Sequence, residues 1–136
     1  MHDAAQAGAV AGAVVAFAEA LGRPLPLLGL GGEIEAAATA CVIPFLREAF
    51  LDRGYAPDGT LVPRDARGAV LDSAAQLAER AIRLVRHGEL VAVDGTRIRV
   101  DAASLCVHGD TPAAVRMTAA VREALEGEGI AGRPPW

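Results

Sequence analysis

Lysine is missing from this sequence: all thirteen basic residues among its 136 are arginine. That bias reads as genome base composition rather than function. Seventeen acids outweigh the arginines and leave a formal charge of -4. No arginine-rich run compensates, which argues against a general nucleic-acid footprint. Aromatic residues are scarce, at 4%, so the core must rest on Ala, Val and Leu. Cysteine is limited to Cys41 and Cys106, with no metal-like spacing between them and no disulfide framework. A reducing cytoplasm is the expected setting. The longest apolar run, Ala7 to Ala18, is broken only by glycines and ends at Glu19. It reads as a closely packed Ala-rich helix, too short to span a bilayer. The opening Met1-His2-Asp3 lacks the positive charge of a signal peptide. What is present, 52% apolar and 22% charged residues, describes one globular domain over residues 1–136, able to bury a core.

The pattern along the chain alternates strands and helices. Residues 3–21 predict a helix ending near Gly22, with Pro24 and Pro26 behind it. Leu25 to Leu30 predicts a short buried strand and Glu33 to Cys41 a helix, joined by Gly29-Leu30-Gly31-Gly32. That turn lacks the Lys-Ser/Thr of a phosphate loop, so a plain β–α connection is the reading. "IPFLREAF" (Ile43 to Phe50) predicts a strand by its position. From Leu51 to Asp72 no regular pattern holds, although Pro57-Asp58-Gly59 marks a turn. So long a connection in a compact domain is more often functional than passive. Asp72 or Ser73 caps a helix to about His87, with Leu77, Ala81, Leu84 and Val85 on one face. Leu90 to Val100 predicts a hairpin about Asp94-Gly95. "SLCVHG" is a strand, Thr111-Pro112 opens the last helix to about Glu126, and "GRPPW" is a tail. His2 and His87 read as solvated helix-end residues. The class is α/β, with a mainly parallel sheet and an inserted hairpin.

In such sheets ligands bind beyond the carboxyl ends of strands, and Asp52, Arg53 and His108 all fall there. Two readings of Cys106, His108 and Asp110 stay open. They are a buried cysteine, a satisfied histidine and a helix cap at Asp110 or Thr111; or His108 moves protons or binds an anion beside a helix start. Cys-x-His alone is no metal site, since further ligands at zinc spacing do not follow. Asp52, Arg53, Arg64 and Arg67 are likewise either surface ion pairs or a carboxylate clamp.

Three stretches carry a resemblance that bears on the choice: "EAFLDRGYAPDGTLVPRDARGAVL" (Glu48 to Leu71), "AVDGTRIRV" and "SLCVHGDTPAAV". In this order and spacing they closely resemble the carboxyl-terminal half of the LamB/YcsF family, the A subunit of bacterial 5-oxoprolinase. The resemblance implies part of an irregular (β/α) barrel related to the sugar-hydrolase and deacetylase barrels. It implies ATP-dependent opening of 5-oxoproline to L-glutamate with B and C partner subunits. Carried over residue by residue, it implies catalytic roles for His108, Asp110 and Asp52, and substrate-binding roles for Arg53, Arg64 and Tyr55. An arginine would hold the substrate carboxylate and His108 would move protons. No metal site is implied in this chain.

The family's opening "N-C-D-x-G-E"-like strand and its "G-F-H-A-G", "G-A-H-P" and "K-P-H-G-A-L-Y" segments have no counterpart here. The expectation is therefore half a barrel with an uncovered edge, which should self-associate or bind the missing half. A non-catalytic assembly module is the competing function. Metal-dependent deacetylase-like hydrolysis is the weaker third, because its ligands would lie on the absent strands.

Overall fold

The computed structural model describes residues 3–133, so His2 and the last three residues of the tail lie outside the described residues. The chain divides into two compact units, one reaching Ala49 with Ala102–Ser104, the other holding Phe50–Asp101 and the chain from Leu105 on.

In the first unit, Asp3 accepts the Gln6 N–H at 2.8 Å and opens α1 (Ala4–Leu21), which Gly22 ends at φ +67. Glycine suits that left-handed position because it has no Cβ. Glu19 does not stop this helix, because glutamate is a good helix former. The result corrects the expectation from the apolar run. The 18-residue helix, with mean hydropathy 1.5, is long enough by length and composition to cross a membrane. Within the unit, Ala7 and Ala11 join Leu27, Ile34, Ala38 and Ile43 in one buried cluster. Alanine four residues apart lets α1 approach α2 (Glu33–Ala40) closely. Strand β1 (Leu27–Gly29) pairs in parallel with β2 (Phe45–Phe50), Leu28 opposite Leu46. On the other side of β2, the Ala103 N–H donates to the Arg47 carbonyl at 2.8 Å. The sheet order is β1-β2-β5, with β5 at Ser104–Cys106.

In the second unit, Ser73 caps α3 (Ala74–His87) and Gly88 ends it at φ +65. Leu77, Ala81 and Leu84 are buried, and α3 packs on α4 (Ala114–Gly127). Val85, expected on that face, is 45% exposed; one residue past Leu84 it has turned about 100° away. The hairpin of β3 (Glu89–Val91) and β4 (Arg97–Arg99) closes through Asp94, which accepts the Thr96 N–H. The last helix starts later than expected. Ala114 N–H donates to the Thr111 carbonyl, Ala113 is the N-cap, and no side chain caps it. Pro112 thus lies in the turn before the helix, and neither Asp110 nor Thr111 is the cap. Among the described residues the strands form one three-stranded and one two-stranded sheet, which do not close a barrel.

Residues 51–72 form no strand or helix, yet their backbone is well bonded. Isolated bridges join Arg53 to Val70 and Tyr55 to Leu61. Leu71 N–H donates to the Asp52 carbonyl, Gly54 N–H to Ala69, and Val62 N–H to Gly54, each at 2.9 Å. At the tip, Gly59 takes φ +84 and Asp58 accepts the Thr60 N–H. The base is tightest at Gly54, where a Cβ would stand 2.1 Å from the Gly68 carbonyl oxygen. Gly54→Ala must therefore shift backbone. It should lower stability by about 2 kcal/mol or more, seen as a lower urea midpoint at unchanged m-value.

Candidate functional site

The site lies within the second unit, where the chain leaves β2 and β5. Leu51 N–H donates to the Cys106 carbonyl at 2.9 Å, which sets Asp52 against His108. Asp52 is 1% exposed. Its Oδ2 accepts the His108 backbone N–H at 3.1 Å, and both carboxylate oxygens stand 2.9 Å from His108 Nδ1. A carboxylate only accepts, so Nδ1 carries a proton, and in the neutral imidazole the lone pair is left on Nε2. The imidazole retains 28% exposure. Its other support is Phe50, whose ring meets it edge-on at 5.2 Å. An acid that fixes the tautomer and orientation of a part-exposed histidine is the arrangement of a general base and its orienting partner. Strand β5 ends at Cys106, so His108 owes its direction to Asp52 rather than to strand alternation.

The other expected site residues fall into two groups. Arg53 is 7% exposed and turns inward: Nε donates to the Ala69 carbonyl at 3.0 Å and Nη2 to Val62 at 2.8 Å. Tyr55 is 1% exposed, and its hydroxyl accepts the Phe50 N–H at 2.8 Å. Burial pushes the Tyr55 phenol up from its ordinary value, with Asp52 and Cys106 adding and Phe50 N–H and Arg80 opposing. Both side chains act on the loop that carries Asp52. Arg64 and Asp110, by contrast, are half exposed and meet at 2.9 Å, joining residues 46 apart in sequence. Arg67 is exposed.

Sequence reasoning passes over two contributors. Phe50 reads there only as a strand end. Arg80 reads only as part of a helix, yet it sits on the buried stripe of α3 between Leu77 and Ala81. Its guanidinium lies 5.7 Å from the Tyr55 ring centroid and donates through Nη2 to the Arg53 carbonyl at 3.0 Å. Burial lowers the Arg80 pKa, opposed by Tyr55 and Asp52. A charged residue at an apolar position of an amphipathic helix is the signal that would have found it.

Other places suit a ligand less well. The Gly31-Gly32 turn leads into α2 with Glu33 and Glu35 in its first turn. A Cβ at Gly31 would stand 3.2 Å from both the Glu35 carboxylate and the Arg47 guanidinium, and these two pair with each other at 2.6 Å, so the cation beside that turn is already engaged. Among the described residues no three His, Cys, Asp or Glu are placed to hold a metal ion. A depression of about 460 Å³ is lined by Arg83, Arg86, His87, Glu89, Arg97 and Arg99. Its four arginines meet partners inside the chain: Glu79, Glu128, Glu89 and the His87 carbonyl.

The unit thus defines a class: an α/β protein with a histidine–aspartate pair at the ends of two strands. The LamB/YcsF family model matches residues 1–135, and the chain belongs to that family. It is 50% identical over 134 residues to the 5-oxoprolinase A subunit of Kocuria rhizophila, covering 98% of this chain and 52% of that protein. The 5-oxoprolinase A subunit of Cutibacterium acnes is 45% identical over 131 residues, 96% of this chain and 51% of that one. The crystal structure of a lactam utilization protein from Thermus thermophilus superposes with TM-score 0.88 at 38% identity. That match covers 97% of this chain and 51% of the other. The chain therefore spans about half the length of the relatives it matches.

The Arg64 contact also dictates a titration. Its hydrogen bond holds the Asp110 carboxyl below the usual aspartate range, with the charges of Arg64 and His108 adding. A depressed native pKa means the contact stabilises the fold above the unfolded aspartate value of about 3.9. That contribution fades as pH falls through the lower native value. Carboxyl ¹³C NMR should place Asp110 below the other exposed aspartates that lack such a partner, and Arg64→Ala should return it to their range.

Proposed function

We propose that this chain supplies the carboxyl-terminal half of a 5-oxoprolinase A subunit, part of an irregular (β/α) barrel. It acts in the cytoplasm on 5-oxoproline, with B and C partner subunits and consumption of ATP. The observation that carries the reading is the Asp52–His108 pair, at 2.9 Å, within a chain half-identical to a protein of that name. Hydrolysis of the lactam adds water across the C–N bond. His108 Nε2 takes a proton from the attacking water, and the same proton passes to the departing ring nitrogen. Asp52 holds the imidazole and balances its transient charge. Arg64 is the better candidate for the substrate carboxylate, because Arg53 is turned inward. An exposed ion pair is weak, so a substrate carboxylate can displace Asp110 from Arg64. ATP supplies driving force in the complex, and no step is assigned to it on these residues.

The test is 5-oxoproline turnover coupled to ATP hydrolysis, with purified partner subunits and the other half of the barrel. His108→Ala and Asp52→Asn should each lower kcat on the order of 10³–10⁴-fold, and Arg64→Ala should chiefly raise KM. Full activity in His108→Ala would falsify the assignment of the base.

A second reading, a non-catalytic assembly module, has its own support. On α1, Val10, Phe17 and Leu21 are 38%, 59% and 47% exposed. With Val14, which packs in part against the unit's own core, they follow the 4-3-4 spacing of a helix–helix seam. In this reading the seam docks the polypeptide that completes the barrel. Phe17→Glu should abolish that association in light scattering while leaving the far-UV spectrum of this chain unchanged. Association at undiminished strength would remove α1 from the interface.

A further inference from the structure

The hydroxyl of Tyr55 is costly where it stands. At 1% exposure a phenylalanine would fill the same volume without a polar atom, and a buried hydroxyl lowers stability unless it is bonded. Its partner is the Phe50 N–H, at 2.8 Å. Strand β1 ends at Gly29, opposite Arg47, and on the β5 side it is the Leu51 N–H that meets the Cys106 carbonyl. Among the described residues neither neighbouring strand therefore offers Phe50 an acceptor, and a side chain five residues on supplies one. The bond closes the segment from Phe50 to Tyr55 into a loop with Asp52 inside it. It also holds the residue whose ring meets the His108 imidazole at 5.2 Å and 63°, the edge-to-face arrangement that aromatic pairs prefer. The imidazole needs that second contact. Its Nδ1 lies 2.9 Å from both oxygens of Asp52, so the hydrogen bond survives a swing of the ring from one oxygen to the other. The His108 N–H on Oδ2 at 3.1 Å ties backbone to acid and leaves the ring plane open.

We propose that Tyr55 is a positioning residue for His108: its hydroxyl sets Phe50, and the Phe50 ring fixes the imidazole plane that the Asp52 carboxylate leaves free. Nε2 is thereby aimed in one direction by a residue that need not touch the substrate. The proposal rests on the reading of His108 as a base and deepens it. It also gives Tyr55 a role other than the substrate contact that the family resemblance implies.

The primary test is NMR of the labelled chain, which needs neither substrate nor partners. It therefore stands even where His108→Ala keeps full activity and the base reading falls. The chain has three histidines and three phenylalanines, so His108→Gln and Phe50→Leu spectra identify the relevant signals. Tyr55→Phe removes one oxygen atom and nothing else. It should weaken the NOE between the Phe50 and His108 rings and speed exchange of the His108 Nδ1–H with water roughly tenfold, the effect of one lost hydrogen bond. In the turnover assay the same variant should lower kcat on the order of tenfold or more at an unchanged KM. An undisturbed ring contact and a parent exchange rate in Tyr55→Phe overturn the proposal, whatever the change in Tm. A raised KM at the parent kcat overturns it too, because Tyr55 then touches the substrate. Phe50→Leu keeps the N–H bond and loses the ring, so it should reproduce the faster exchange and decides the matter where Tyr55→Phe does not fold; a parent rate there is equally fatal. Failure of both variants to fold would make Phe50 and Tyr55 core residues only, and overturns it as well.

Discussion

The carboxylate of Asp52 is the point on which the second unit turns. Removing an acid from water is costly unless its oxygens are matched by donors, and both donors come from His108, 56 residues away. The chain must therefore bring two distant strand ends together and hold them there. Arg53 ties the loop base to the carbonyls of Ala69 and Val62, and Leu71 N–H closes on the Asp52 carbonyl. These bonds orient the acid from its own backbone, and the histidine follows the acid.

The motif "DRGY" divides its labour by burial. Asp52 faces the imidazole, while Arg53 and Tyr55 face inward and stiffen the segment. Arg64 and Asp110 stay in solvent, where their pairing is weak and exchangeable. A site assembled this way has a rigid, buried centre and a soft, charged rim. In the proposed reading that combination suits a small anionic substrate, because the weak rim pair can exchange one carboxylate for another.

Much of this was legible in the residues. The ends of α1 and α3 could be read because Asp3, Gly22, Ser73 and Gly88 are local devices that act within a turn of helix. The hairpin at Asp94-Gly95 was legible for the same reason. Asp52 and His108 were each legible as strand-end residues, but their partnership was not, since nothing local links positions 56 apart. Arg53 illustrates the opposite failure. A strand-end arginine in a polar loop reads as a ligand clamp, yet the loop folds back and offers it two backbone carbonyls first. The start of α4 was misplaced because Thr111-Pro112 satisfies a turn as well as a helix, and Asp110 was drawn to Arg64 instead. Stopping the apolar count at Glu19 likewise understates the apolar reach of α1, because a charge that interrupts hydropathy does not interrupt backbone hydrogen bonding.

The contact between Gly54 and Gly68 has one more consequence. It fuses the two ends of the 51–72 segment into a single neck, beyond which Ala56 to Thr60 closes on itself through its own backbone bonds. Pro57, Asp58 and Gly59 therefore form a tip with backbone bonds separate from those at the base, which hold the acid. A fluorophore, an affinity tag or a grafted peptide is best placed at that tip, because its backbone bonds are its own and those at the base hold Asp52 independently of it.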